Sequence, residues 1–139
     1  MSENYKGEVE INSQSALISV RKVLRELTES IGFGITDITR IITAASELVR
    51  NVLIYAESGV MDWILIKNSE KIGIELVFKD SGPGISDIEK AMIDGFSTGK
   101  GLGKGLSGVK RLMDEMEISS EVGKGTYIRI KKWLKIKND

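Results

Sequence analysis

Helix-like segments in this sequence alternate with pairs of strand-like segments, and that order limits the folds open to the chain. Residues 16–31 and 36–55 carry apolar side chains at three- and four-residue steps, the period of an amphipathic helix. Two β-branched runs follow at 61–67 and 72–79, and the polar stretch 68–71 between them is short enough for a hairpin turn. Strands joined in this way pair antiparallel.

The second half of the chain repeats the same order. A helical pattern covers 105–115, and strand-like runs follow at 118–122 and 126–134. The glycine-containing stretch 123–125 between them suits a hairpin turn. The glycine-rich segment before this helix has no long periodic pattern, apart from a short helix predicted at 87–93.

Glycines and polar residues mark the ends of the first two helices. Gly32 and Gly34 are predicted to stop the first helix. Thr36 or Asp37 is predicted to cap the second.

Helices that alternate with hairpins predict an α/β two-layer sandwich, with helices packed on one face of a mixed, mostly antiparallel sheet. Val9 and Ile11 are expected to add an edge strand at the start. A chain of 139 residues without repeats or linkers fits a single domain over residues 1–139.

Composition excludes several classes of function. The chain has no Cys and no His, which rules out thiolate nucleophiles, cysteine or histidine metal sites, a Ser–His–Asp triad and a phospho-histidine relay within the chain. Basic and acidic residues are balanced at 20 each, so no net charge favours nucleic acid or an anionic membrane as a partner. No apolar run is long enough to span a bilayer, and the polar start is not a signal peptide. We therefore expect a cytoplasmic protein.

Glu47 and Asn51 lie four residues apart in the second predicted helix, so they project from one side of it. At about 100° per residue, that side is opposite the apolar stripe and also holds Arg40 and Ala44. One interpretation is a solvated polar face. The other is that the Asn51 amide oxygen binds Mg²⁺ while Glu47 orients an attacking hydroxyl group or water molecule. This segment alone leaves both open.

Asp80 follows a predicted strand and begins the sequence Asp-Ser-Gly-Pro-Gly. These residues are typical of a plain turn. An ionised carboxylate at a strand end also accepts hydrogen bonds, including one from an exocyclic amine such as that of adenine. Gly82 and Gly84 would then let a flat base pack against the backbone. Turn and nucleotide site are both compatible with this segment.

The segment 99–106 alternates glycine with other residues and leads into a helical pattern. Backbone N–H groups at a helix N-terminus attract phosphate, and two lysines add positive charge. A flexible loop is the alternative, but regularly spaced leucines are unusual in a plain linker. The spacing is not that of a P-loop, and the segment does not follow a strand as the dinucleotide fingerprint requires. The candidate phosphate-binding residues are Lys100, Gly101, Leu102, Gly103, Lys104, Gly105 and Leu106.

The order of these segments resembles the nucleotide-binding boxes of the GHKL ATPase superfamily, which includes gyrase, Hsp90, histidine kinases and MutL. The resemblance covers about residues 36 to 130 and extends to Gly-Lys-Gly-Thr at 123–126. The sequences at 33–34, 46–51, 94–98 and 108–115 are especially similar to the small serine/threonine kinases of bacterial partner-switching systems, in particular the switch kinase of the stressosome. The resemblance implies a Bergerat-type fold.

The resemblance also implies residue roles. Asn51 would bind Mg²⁺, and Glu47 would be the catalytic carboxylate. Asp80 would accept a hydrogen bond from the adenine amine, and Thr126 would assist through water. The glycines implied beside the base are Gly82 and Gly84, and those implied around the phosphates are Gly101, Gly103 and Gly105. The segment 87–104 would be the ATP lid, with Lys100 or Lys104 at the γ-phosphate.

The implied activity is transfer of the γ-phosphoryl group of ATP to a serine or threonine on a partner protein. Partners in this family are STAS-domain scaffold and antagonist proteins, and the released kinase would activate a downstream phosphatase or another output protein. The alternative is an anti-sigma factor kinase that sequesters an RNA polymerase sigma subunit. A third possibility is a module that senses ATP without catalysis.

Overall fold

A computed structural model of the chain describes residues 5–84 and 105–134. Within these ranges, three helices pack on one face of a five-stranded sheet, which confirms the predicted two-layer sandwich. The strand order is β1-β2-β3-β5-β4, and each pair of neighbours in it runs antiparallel. The elements are β1 (Tyr5–Ile11), α1 (Ser15–Ile31), α2 (Ile35–Tyr55), β2 (Gly59–Lys67), β3 (Ile72–Asp80), α3 (Gly105–Leu112), β4 (Glu115–Glu121) and β5 (Gly125–Trp133).

The core lies between the helices and the inner face of the sheet. Alternate residues of the central strand β3, namely Ile74, Leu76 and Phe78, are buried against the helices, as period-two packing requires. Leu24 of α1 and Leu48 of α2 pack into the same cluster. The core therefore fixes which residues of each strand face the helices, and Asp80 continues the inward series at the end of β3.

The helix boundaries agree with the sequence except at the start of α2. Gly32 ends α1 in the left-handed conformation with φ 99°, as predicted. The cap predicted at Thr36 or Asp37 is wrong: α2 begins at Ile35 with Gly34 as its extended N-cap residue, and the Ile38 N–H donates to the Gly34 carbonyl at 3.0 Å. Phe33 is buried and fixes the backbone two residues before Ile35. The helix therefore begins at Ile35, directly after the extended residue Gly34.

The last hairpin, formed by β4 and β5, starts three residues earlier than predicted from the sequence. The helix α3 ends at Leu112 rather than 115, and β4 begins at Glu115 rather than 118. Asp114 explains the difference, because its N–H donates to the Lys131 carbonyl at 2.9 Å and its Oδ2 accepts the Trp133 N–H at 2.8 Å. These bonds extend the hairpin towards α3.

The edge strand expected from Val9 and Ile11 is confirmed as β1, which pairs with β2 along its whole length. The short helix predicted at 87–93 lies outside the described residues. None of the helices in the described ranges has both the length and the apolar character needed to cross a bilayer.

Candidate functional site

The side of α2 that carries Glu47 and Asn51 is covered by the start of α3. A methyl group built on Gly105 would lie 3.6 Å from the Asn51 Nδ2 atom and 3.7 Å from the Glu47 Oε2 atom. Ala44 on the same side is fully buried. The interpretation of this side as a solvated polar face is therefore wrong around Glu47 and Asn51, because α3 packs there, whereas Arg40 on the same side is exposed. The structure instead brings a carboxylate, a carboxamide and a helix N-terminus together at what we call the Asn51 end.

Arg50 holds one oxygen of the Glu47 carboxylate. The Arg50 Nη1 atom lies 3.0 Å from Glu47 Oε1, and the two side chains are 38% and 28% exposed. The other oxygen, Oε2, is the one that lies near Gly105. Arg50 was not among the residues predicted for the site, although its position three residues after Glu47 on a helix was a signal for this pair.

A second group of polar residues lies where β3 ends, and we call it the Asp80 corner. Asp80 is paired in the sheet with Thr126 of β5 and Gly59 of β2. Its Oδ1 atom accepts the Gly82 N–H at 2.9 Å and the Thr126 N–H at 3.2 Å. Among residues 5–84 and 105–134, none donates a hydrogen bond to Oδ2. The carboxylate is thus fixed through one oxygen, and the other remains an acceptor.

Close backbone packing builds this corner. A methyl group at Gly82 would lie 2.5 Å from the Ala56 Cβ atom, so the glycine lets the turn lie against the C-terminal end of α2. Gly125 has φ 104°, and a methyl group there would collide with the Asp80 carbonyl oxygen. Gly84 lies beside Glu121 of the last hairpin. Glycine is required at these contacts because any side chain would push the three segments apart.

Ser120 also belongs to the Asp80 corner, and it was not among the residues predicted from the sequence. Its hydroxyl lies 3.0 Å from the Thr126 hydroxyl and donates to the Gly125 carbonyl at 2.9 Å. Ser120 continues the inward-facing series of β4 after Met116 and Ile118. A polar residue in such a series was the available signal, since these positions are otherwise apolar.

The two groups lie along one helix. Asn51 and Ala56 are separated by five residues of sequence, a rise of about 8 Å along an α-helix. The Asp80 corner contacts α2 at Ala56, and the Asn51 end contacts α3 at Gly105. Leu106 places its side chain in the core. The first backbone N–H groups of an α-helix have no acceptor within the helix and can bind a ligand. The candidates Lys100, Gly101, Leu102, Gly103 and Lys104 lie outside the described residues.

The face of the sheet that points away from the helices carries acidic side chains near Asp80. A depression of about 710 Å³ opens there, and its walls include Glu8, Glu10 and Lys79. The Lys79 ammonium lies 2.7 Å from Asp62. This hydrogen bond, together with the charge of Asp62, raises the pKa of Lys79 above its ordinary value of 10.5. The acidic rim makes this face less suited to a polyphosphate than the Asn51 end.

The profile of the family "Histidine kinase-, DNA gyrase B-, and HSP90-like ATPase" matches residues 36–136. The chain is 45% identical over 132 residues to "Serine/threonine-protein kinase RsbT" of Bacillus subtilis, which covers 95% of this chain and 99% of that protein. It is also 37% identical over 120 residues to an anti-sigma F factor of a Thermoanaerobacter strain, which covers 82% of each chain.

Solved structures show the same fold. One that contains the RsbU and RsbW domains of a Mycobacterium tuberculosis protein superposes with a TM-score of 0.61 at 21% identity, over 91% of this chain and 32% of that one. The mycobacterial sensor histidine kinase MprB superposes with a TM-score of 0.56 at 18% identity, over 93% and 97% of the two chains. The family profile spans residues 36–136, and the relative at 45% identity is matched over 99% of its length. The chain therefore belongs to the family of histidine kinase-, DNA gyrase B- and HSP90-like ATPases.

Proposed function

We propose that this protein is an ATP-dependent serine/threonine protein kinase that phosphorylates a STAS-domain partner and acts as a partner-switching regulator in stress signalling. The observation that carries the proposal is the proximity of Glu47, Asn51 and Gly105, which puts a carboxylate and a carboxamide at the N-terminus of α3. The relative at 45% identity, named as a serine/threonine-protein kinase, supports this class of activity.

The Asp80 corner binds the adenine in this proposal. Asp80 Oδ2 accepts a hydrogen bond from the exocyclic amine, because Oδ1 already accepts two backbone N–H groups. The Thr126 hydroxyl, held by Ser120, assists through a water molecule. The backbone of Gly82 and Gly84 lies beside the base.

The Asn51 end holds the metal and the phosphates. Asn51 Oδ1 supplies a neutral oxygen ligand, which suits Mg²⁺, a cation that proteins bind through few side chains and the substrate phosphates. When bound to Asn51, Mg²⁺ would supply positive charge to offset the charge of the phosphates. The N–H groups of Gly105 and Leu106 at the start of α3 bind phosphate oxygens. We assign the preceding residues Gly101 and Gly103 to the same phosphate site, with Lys100 or Lys104 at the γ-phosphate and 87–104 as the lid.

Glu47 acts on the nucleophile. One oxygen is held by Arg50, so the other is directed towards the phosphate end, where it accepts the proton of the attacking serine or threonine hydroxyl. Transfer of a phosphoryl group depends mainly on positioning and charge neutralisation. A carboxylate fixed by a neighbouring side chain and facing a helix N-terminus supplies that positioning.

The partner in this proposal is a STAS-domain scaffold or antagonist protein. A phosphate placed on a STAS-domain scaffold or antagonist adds up to about two negative charges, which changes what that surface binds. Release from the scaffold then lets the kinase act on a phosphatase or another output protein, and the setting is cytoplasmic.

A second candidate function is supported by the anti-sigma F factors among the relatives. In that case the same nucleotide site operates in a protein that sequesters a sigma subunit. Co-purification with a sigma subunit rather than with STAS-domain proteins would favour this candidate.

The test uses purified protein, Mg-ATP and a STAS-domain protein encoded nearby. We expect phosphoserine or phosphothreonine on the STAS protein with wild type and none with Asn51→Ala. Absence of any phosphorylated product, together with equal ATP binding by Asn51→Ala and wild type, would overturn both the activity and the role of Asn51. ATP binding without transfer to any partner would leave an ATP-sensing module.

A further inference from the structure

Lys132 is a buried lysine whose ammonium group connects three parts of the fold. Its side chain is 6% exposed, although it lies on β5 among inward-facing residues. The Nζ atom donates a hydrogen bond to the Leu112 carbonyl at 2.7 Å and lies 3.5 Å from Asp114 Oδ1 and 3.9 Å from Asp37 Oδ1. Leu112 is the last residue of α3, and Asp37 lies in the first turn of α2.

Burying an ammonium group is costly, and an apolar residue would fill the same space without that cost. The neighbouring inward residues Ile128 and Ile130 show what this face of β5 otherwise carries. The distinguishing property of Lys132 is its reach: its ammonium group donates a hydrogen bond to the C-terminal end of α3 and lies within ion-pair distance of Asp37 in the first turn of α2. The same Asp37 oxygen accepts a hydrogen bond from Arg40 at 3.1 Å. A cation is also the favoured group at a helix C-terminus.

The helix α3 is short, so fixing one end fixes the other. It has eight residues, which correspond to about 12 Å of α-helix. Lys132 binds its C-terminal end, while Gly105 at its N-terminal end lies next to Asn51 and Glu47 of α2. A sideways shift at Leu112 therefore tilts the N–H groups of Gly105 and Leu106 away from the phosphates that they would bind.

We propose that Lys132 is a positioning residue for phosphate binding: it clamps α3 to α2 and so holds the N-terminus of α3 against Asn51 and Glu47. The inference rests on the proposed ATP site. It differs from a purely structural role in one measurable way. The proposed adenine contact at Asp80 lies on β3 and does not involve α3. Loss of the Lys132 contacts should therefore weaken the binding of ATP, which carries phosphates, and not that of adenosine, which carries none.

The experiment compares ATP and adenosine binding, by calorimetry in the presence of Mg²⁺, for wild type, Lys132→Met and Lys131→Met. Lys131 is the matched control, because it immediately precedes Lys132 in β5, faces the other side of the sheet and pairs with Glu75 at 3.4 Å. We expect Lys132→Met to weaken ATP binding about tenfold while adenosine binding stays within about twofold. Lys131→Met should leave both affinities unchanged.

Equal losses for ATP and adenosine, or unchanged ATP binding by a folded Lys132→Met, would overturn the positioning role. If that variant does not fold, Lys132→Gln gives the same test, because it keeps a donor but loses the charge; the same split between ATP and adenosine is expected. Wild type that binds no ATP would instead refute the proposed function. Failure of the site and failure of the clamp are thus separate results.

Discussion

Thr126 and Asp80 face each other across β5 and β3, and the Thr126 N–H donates to Asp80 Oδ1 at 3.2 Å. Gly82 donates to the same oxygen from the turn that follows β3. One carboxylate oxygen of Asp80 is thus held by two backbone N–H groups, and no residue in 5–84 or 105–134 donates to the other. In the proposed function, this second oxygen accepts a hydrogen bond from the adenine amine.

Asp80→Asn should weaken ATP binding about 10- to 100-fold, which corresponds to loss of a hydrogen bond to a charged acceptor worth about 1.5–3 kcal/mol. The asparagine carbonyl can still accept the Gly82 and Thr126 N–H groups, but its amide N–H₂ then meets the adenine amine as donor against donor. Calorimetry measures the affinity, and thermal unfolding checks the fold. Asp62→Asn on the outer face of β2 is the control and should bind ATP like wild type. Unchanged affinity in Asp80→Asn would dismiss the adenine role.

Gly125→Ala should destabilise the protein more than Gly123→Ala, although both glycines have positive φ, 104° and 83°. An added methyl group at Gly123 meets open space, so the free energy of unfolding should fall only by the backbone strain, about 1 kcal/mol. At Gly125 the methyl group collides with the Asp80 carbonyl, and a total of about 3 kcal/mol is expected. Urea unfolding gives both values, and equal losses would show that the contact with Asp80 is not tight.

Thr126→Val should weaken ATP binding a few-fold, because it removes the hydroxyl that Ser120 holds while the backbone N–H to Asp80 remains. Thr126→Ser keeps the hydroxyl and should bind nearly as wild type. The comparison is made by the same calorimetry. A serine variant as weak as the valine variant would assign the effect to lost packing rather than to the hydroxyl.

The pair between Lys79 and Asp62 predicts a pH effect at alkaline pH. Because the pKa of Lys79 is raised in the folded state, the pair stabilises the protein fully below the ordinary value of 10.5 and loses its effect as the pH rises through the folded-state value. Melting temperature should therefore fall more steeply with pH above about 10.5 in wild type than in Lys79→Met. The difference should be small, since the side chain of Lys79 is half exposed. Parallel curves would show that the pair is not formed in solution.

The sequence predicted the elements well because their signals are local. The stripe of α2, the β-branched runs of β2 and β3 and the glycine turn before β5 each follow from residues close in the chain. The start of α2 and the length of the last hairpin were missed, because they depend on burial of Phe33 and on bonds from Asp114 to β5, which join distant residues.

The candidate site shows the same division. Spacing placed Glu47 and Asn51 on one side of a helix, but only the fold shows that α3 covers that side. Ser120 and Lys132 were not singled out: a polar residue among inward-facing apolar positions was the only signal for each, and it does not show which group the side chain binds. Both bind groups that lie far from them in the sequence or across the sheet.

In the proposed function, Glu47 promotes phosphoryl transfer from ATP to a partner hydroxyl. The most direct measurement is single-turnover transfer of labelled γ-phosphate to the STAS-domain partner by wild type and Glu47→Gln, each saturated with Mg-ATP. We predict phosphoserine or phosphothreonine with wild type and a rate at least about 100-fold lower with Glu47→Gln. ATP affinity of the variant should stay close to that of wild type. Transfer by Glu47→Gln at the wild-type rate would show that Glu47 does not promote phosphoryl transfer.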